Sequence, residues 1–415
     1  MPRTLGECEF QIEDGLAQID MLDAQIGAWE FVDREGALTR AKQLDQSAER
    51  GPLYGLSVGV KDIIDVAGMP TACGTPIYAG IVARQDAPCV ALAKAAGAIV
   101  IGKTATTELA GVHPAKTRNP QNLDHTPGGS SSGSAAAVAA GMVRIAFGTQ
   151  TAGSVIRPAA YCGVVGFKPT FGLVPRAGVK VQSDTLDTVG VFTRTVDDAA
   201  HWYTAMTGTS ATQGQNMGKG PLRILIVSNL MDQAEVDMSV AVAEAAEALG
   251  NAGLRMREAR LPASFDEAQT DQRIVQLAEM ARCYATEHKQ HRHQLSEKLA
   301  VMLDDGAAIP DDIYQAALAR TELARKQAAN LFADADAWLM PSATGAAPRG
   351  LESTGDPVFN RLASILHLPA INIPVYRSKR RMPLGLQLVG ARLQDAKLLS
   401  VAKRTIEILR SNTHD

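Results

Sequence analysis

Short apolar runs alternate with stretches of helical spacing along most of the chain. Runs at Leu56–Val60, Ala98–Ile101, Ile145–Gly148, Leu222–Val227, Ala337–Met340, Ala370–Val375 and Leu384–Val389 have the length and branching of buried strands. Helical spacing is clearest at Ile313, Ala317, Ala324, Ala328 and Leu331, after the start signal Pro310-Asp311-Asp312. The run Ala135–Ala140 is a strong helix former that ends near Gly141. This alternation predicts an α/β protein. The basic run Arg377, Lys379, Arg380 and Arg381 falls between two expected strands and reads as a charged turn. Gly208 to Gly220 is glycine-rich without periodicity and reads as a loop, with Leu222–Val227 rejoining the same sheet. No repeat of solenoid length occurs.

Composition narrows the class. Hydrophobic residues make up 46% of the 415 positions and charged residues 20%, within the globular range. A net charge of −3 gives no attraction to nucleic acid or to acidic membranes. The cysteines (Cys8, Cys73, Cys89, Cys162, Cys283) are scattered, odd in number and without a C-x-x-C pair, as expected in a reducing cytosol. The first residues carry no apolar signal region, and no apolar run of membrane-spanning length follows. A soluble cytoplasmic protein is expected.

The chemistry concentrates between Pro127 and Gly163. Gly128-Gly129-Ser130-Ser131-Ser132-Gly133-Ser134 leads into the Ala-rich helix, and Gly148-Thr149-Gln150-Thr151-Ala152-Gly153-Ser154-Val155-Ile156-Arg157-Pro158 follows. Glycine loops of this kind let backbone N–H groups and hydroxyls converge on a reacting carbonyl. A linker is the bland reading of the first loop, but a linker does not run straight into a strong helix former. The first loop holds neither nucleotide-binding glycine pattern. A catalytic serine needs a base, and no histidine lies in either loop; His125 is the nearest. Lys61, after the apolar run Leu56–Val60, is the other candidate. Lysine ionises near ~10.4, and bringing it to roughly 7 requires burial. A solvated pair of Lys61 with Asp62 is the ordinary alternative. His288, His291 and His293, interleaved with Lys289 and Arg292, read as a solvated helix face, not a metal site.

The stretch Gly55–Asp62, the loop from Gly128, Ser154 and Cys162-Gly163-Val164-Val165-Gly166-Phe167-Lys168-Pro169-Thr170 together resemble the amidase signature family. The resemblance implies one large domain over residues 1–415, a central mixed sheet with helices on both faces. Its signature core spans about 51–197 and 339–403, and 210–335 is variable. It implies Ser154 as nucleophile, Lys61 as general base and Ser130 as the proton bridge between them, with a cis peptide joining Gly129 and Ser130. It also implies an oxyanion hole from the N–H groups of Thr151, Ala152, Gly153 and Ser154. Ala152 replaces the more usual glycine but keeps its N–H. Gln150 in place of the usual Asp, and Arg157 three residues after the nucleophile, resemble the malonamidase branch, as does Ser353-Thr354-Gly355-Asp356-Pro357 with Asn360-Arg361-Leu362. There the arginine grips a substrate carboxylate through two parallel hydrogen bonds; a structural arginine is the bland alternative.

The expectation is an amidohydrolase that cleaves a small, malonamate-like acyl amide through an acyl-enzyme on Ser154. No metal or organic cofactor is implied. The expected partners are the small amide and a second copy of the chain as a homodimer, with no nucleic acid or membrane. The alternative is the glutaminase subunit of a tRNA-dependent amidotransferase; a catalytically silent small-acid receptor is a third reading.

Overall fold

All the expected strands enter one sheet. The protein, a computed structural model, is described for residues 6–211 and 220–412, so most of the expected Gly208–Gly220 loop lies outside the described residues. In chain order the strands are β1 (Trp29–Val32), β2 (Ser57–Lys61), β3 (Ile99–Thr104), β4 (Ile145–Gln150), β5 (Val165–Lys168), β6 (Thr188–Thr193), β7 (Arg223–Val227), β8 (Arg255–Ala259), β9 (Ala337–Pro341), β10 (Ala370–Arg377) and β11 (Pro383–Val389). They form an eleven-stranded sheet in the order β1-β3-β2-β4-β6-β5-β10-β11-β9-β7-β8. Parallel pairs lie towards the two wings, β2 with β3 and β4, and β7 with β8 and β9. The centre from β4 through β6, β5, β10 and β11 to β9 is antiparallel. Of the basic run, Arg377 ends β10 and Lys379, Arg380 and Arg381 lie in the β10–β11 connection.

Strand residues alternate between two cores, as a pleated sheet covered on both faces requires. Ile145 and Phe147 pack in one cluster and Ala146 in the other; Val100 and its neighbours Ile99 and Ile101 divide the same way. The first core holds the edge-to-face contacts of Trp202 with Phe147 and Phe167, with ring centroids 5.7 and 6.4 Å apart. Trp202 comes from the helix Val196–Thr207, whose N-cap Thr195 accepts from Asp198 N. The second core takes the helix Ser132–Ala139, whose residues Ser132–Val138 are buried.

Residues 263–331 form a helical layer: Ala263–Cys283, Ala285–Gln290, Glu297–Ala307 and Asp311–Leu331. The last matches the helix expected from its apolar spacing. Buried carboxylates fasten this layer to the rest of the molecule. Glu279 accepts from the Ser183 hydroxyl, from Thr185 N at 3.0 Å and Thr185 Oγ1 at 2.8 Å, and from Tyr314 OH at 2.8 Å. Glu287 takes Tyr78 and Lys180, and Glu108 takes Ser296. Gln272, Arg273 and Gln276 on the first of these helices thereby face the glycine loops across a cavity.

Candidate active site

Lys61 ends β2 and is fully buried. Asp62 turns away from it: Asp62 Oδ1 lies 3.0 Å from Lys103 Nζ, and Asp62 Oδ2 accepts from Ala72 N at 3.1 Å. Lys61 Nζ is 2.7 Å from Ser130 Oγ and 2.8 Å from Thr149 Oγ1. Burial pulls the Lys61 amine down to about 7, against the charges of Asp187 and Cys73, which act to raise it.

The peptide bond Gly129–Ser130 is cis. Its neighbour Gly128 has φ +82°, and a Cβ there would meet Pro158 Cα at 2.9 Å, so only glycine suits the position. The serines of this loop are not equivalent. Ser131 Oγ bridges the backbone of Thr149, Ser132 Oγ donates to Gly128 O at 2.8 Å, and Ser134 Oγ donates to Phe147 O at 2.8 Å. Among them, Ser130 is the one that lines the cavity. Its carbonyl accepts from Thr107 N at 3.1 Å and from Thr106 Oγ1 at 3.2 Å, fixing the turn.

The second loop leaves β4 and enters the helix Ile156–Cys162. Gln150 organises it: its Oε1 accepts from Val155 N at 2.9 Å and Ile156 N at 3.0 Å, and its Nε2 donates to Ser364 Oγ at 3.0 Å. Ser364 Oγ in turn donates to Ala152 O at 2.8 Å. A carboxylate at 150 could accept those N–H groups but could not donate to Ser364. Thr151 Oγ1 donates to the buried Asp187 at 2.5 Å. A Cβ at Gly153 would strike Asn360 Oδ1 at 2.4 Å, so the chain passes where a side chain cannot. Ala152, Gly153 and the half-buried Ser154 line the cavity with Ser130; Thr151 is buried beside it.

The cavity has a volume of about 210 Å³, which suits a small substrate. Arg157, Arg273 and Arg361 line it, and no carboxylate does among the described residues. Arg157 is 4% exposed. It donates through Nε to Thr354 O at 2.7 Å and through Nη2 to Gly129 O at 2.8 Å and Thr354 Oγ1 at 3.1 Å. Its Nη1 has no hydrogen-bond partner among the described residues. The Nε–Nη2 edge, which would grip a carboxylate in parallel, is therefore committed to Gly129 of the first loop and to Thr354, and Nη1 is the part left for a ligand. Arg361 carries Asp356 at 3.3 Å.

His125, the alternative base, does not line this cavity; its Nδ1 lies 2.7 Å from Ala347 O. His288, on the helix Ala285–Gln290, is partly buried 2.9 Å from Asp304 beside Arg292, while His291 and His293 lie past the end of that helix, so the three do not share one solvated helix face. The sequence alone gives no role to Thr149, Asp187 or Thr354. Thr149 lies within the second glycine loop, but only its position opposite Lys61 distinguishes it.

The amidase family model matches residues 11–399. The chain belongs to the amidase family. Members of the family act on amides, and the α/β architecture with its large mixed sheet is the family's. The A-type chain of glutamyl-tRNA(Gln) amidotransferase from Alkaliphilus metalliredigens is 31% identical, over 94% of this chain and 91% of the relative. Its counterpart from Salinibacter ruber is 31% identical, over 96% of each. Among solved structures, a chain from a vestigial protein complex bearing on the origins of an s-triazine catabolic enzyme superposes with a TM-score of 0.90 at 26% identity, covering 98% of this chain and 95% of that one. The amidotransferase chain from Thermotoga maritima gives 0.81 at 28% identity, covering 97% and 91%. Among the described residues no helix is long and apolar enough to cross a membrane.

Proposed function

We propose that this amidase cleaves a small carboxylate-bearing amide with Ser154 as nucleophile, Ser130 as proton bridge and Lys61 as base. The observation that carries it is Lys61: a fully buried amine, pulled down to about 7, within 2.7 Å of the one loop serine that shares a cavity with Ser154. Neutral Lys61 accepts the Ser130 proton while Ser130 accepts that of Ser154, and Ser154 Oγ attacks the amide carbon. The N–H groups of residues 151–154 hold the oxyanion. Collapse breaks the C–N bond, and the relayed proton leaves with the amine. Water then opens the ester along the same relay.

The carboxylate preference rests on the arginines lining the cavity without a lining carboxylate. Two substrate settings share this chemistry. The relatives favour glutamine, with the chain as the ammonia-supplying component of a tRNA-dependent amidotransferase, since the amidotransferase chains match over nearly its full length. The cavity lining favours a malonamate-like acid amide, since among the described residues no lining acid is present to hold an α-ammonium group. Ammonia release by the purified chain alone separates them. Turnover of an acid amide without partner chains supports the free-standing hydrolase, and turnover of glutamine only with added partner chains supports the amidotransferase component. Size-exclusion chromatography of the same sample tests the homodimer.

A further inference from the structure

A second cavity, of about 510 Å³, shares no lining residue with the first. Its charged and aromatic lining comprises Glu322, Arg325 and Lys326 from the helix Asp311–Leu331, with Phe332, His367 and Arg392. One carboxylate thus faces three permanent cations. Glu322 reaches Arg325 Nη1 only at 3.6 Å and is itself more than half exposed. Lys326 and Arg392 make no ion pair or hydrogen bond with a carboxylate among the described residues. The cavity is therefore electropositive and short of anions.

Its inner wall is built around His367. The helix Arg361–Ile365 ends with His367 N bonded to Ser364 O at 3.1 Å and Leu368 N bonded to Ala363 O at 3.0 Å. This is a helix C-terminal motif that places its left-handed residue at His367, φ 61°. Glycine is the usual occupant there; histidine accepts the strain and its ring is put to use. The ring stacks on Phe171 with centroids 4.0 Å apart. Its Nε2 lies 2.7 Å from Thr185 O and 2.9 Å from Arg325 Nη2. One ring nitrogen cannot serve both: if it donates to the carbonyl, it has no lone pair for the guanidinium. Arg325, four-fifths buried, is then left with the Ile365 carbonyl at 2.9 Å as its one well-placed acceptor. Burial and the positive fields of Arg325, Lys168 and Arg392 push the His367 imidazole down to about 3, so it adds no charge of its own near neutral pH. Phe332 stacks one face on Trp338, centroids 4.5 Å apart, and lines the cavity as a flat apolar wall.

We propose that this second cavity binds a phosphate monoester. Arg325 Nη1, Lys326 and Arg392 would hold the phosphate, whose two charges match the excess cations. The remaining volume, beside Phe332, would take the planar or apolar body of the ester.

Calorimetric titration of the full chain with AMP, adenosine and inorganic phosphate tests this. AMP should bind, adenosine at least tenfold more weakly, and inorganic phosphate should displace AMP while binding less tightly alone. Raising salt from about 50 to 300 mM should weaken AMP binding. The double variant Lys326→Ala, Arg392→Ala should weaken it about tenfold or more at unchanged melting temperature; both residues are exposed and, among the described residues, without a carboxylate partner. If the double variant does not fold, Arg392→Gln alone should weaken binding several-fold. No AMP binding at about 10 mM, equal affinity for adenosine, or binding unaffected by these substitutions would overturn the proposal. The last result would place AMP in the arginine-lined first cavity instead.

Discussion

Asp62 pairs with Lys103 on the adjacent strand and not with its chain neighbour Lys61. The consequence reaches the reaction centre. Lys103 also donates to Pro70 O at 2.8 Å and Thr71 Oγ1 at 2.9 Å, so the acid and this lysine form a closed, buried group. Among the described residues Lys61 is left with hydroxyl partners and no direct counter-ion, and desolvation dominates its ionisation. A solvated Lys61–Asp62 pair, the ordinary reading of this dipeptide, would have kept the amine charged.

Activity should therefore rise with pH through about 7 and fall below it, as the amine takes up a proton and ceases to be a base. Lys61→Met should cut turnover by about 10²–10⁴ or more. Stability should rise with pH as well. The folded amine titrates near 7 and the unfolded one near ~10.4, so wild-type stability rises with pH between these values and carries the full burial penalty below about 7. Lys61→Met removes that penalty and should raise the melting temperature most at low pH. Thermal melts at pH 6 and 9 check this; a dead but destabilised variant at pH 6 would contradict it.

The acyl group should reside on Ser154. Mass spectrometry after a serine-directed probe should place the adduct there, and Ser154→Ala should abolish it. Ser131, Ser132 and Ser134 are committed to backbone bonds and should stay unlabelled. An adduct on Ser130 would reverse the assignment of nucleophile and bridge.

Much of this is legible in the sequence, and the rest is hidden for identifiable reasons. Strands buried on both faces, such as β2, β3 and β11, are nearly continuous apolar runs and announce themselves. β1 and β5 escape a local reading, since four residues are too few to show a pattern. β6, Thr-Val-Gly-Val-Phe-Thr, is masked by its threonines and glycine, and β8, Arg-Met-Arg-Glu-Ala, is a polar edge strand. The loops carrying Ser130 and Ser154 are visible as motifs. The partners that fix them are not: Thr354 lies 197 positions from Arg157, and Asp187 lies 36 from Thr151. Such pairings follow from the sheet order, which no local pattern encodes.

The helical layer shows the same dependence on remote contacts. Glu279 is buried and accepts from Ser183, Thr185 and Tyr314. Glu279→Ala would leave several buried donors without an acceptor, at a cost of about 3 kcal/mol or more. Chemical denaturation should show a lower midpoint, with loss of activity following the loss of the cavity wall formed by Gln272 and Gln276. Glu279→Gln, which keeps one acceptor oxygen, should recover part of the stability.

Arg157 joins structure and selectivity in one side chain, and substitution should separate the two. Its Nε and Nη2 hold Thr354 and the carbonyl of Gly129, next to Ser130, while Nη1 is unspent. Arg157→Ala should lower kcat/KM for an acid amide by about 30- to 1,000-fold, the reach of a desolvated charge-assisted contact. It should also lower kcat for a neutral amide of equal size, by a smaller factor, because the Ser130 turn loses its brace. Arg157→Lys keeps the charge but cannot reach Thr354 and Gly129 together in the same planar fork, so it should fail to restore the neutral-amide rate. Parallel kinetics on the two amides, with melting temperatures of each variant, provide the check. Equal losses on both substrates would assign Arg157 wholly to the brace and leave carboxylate recognition to Arg361 and Arg273.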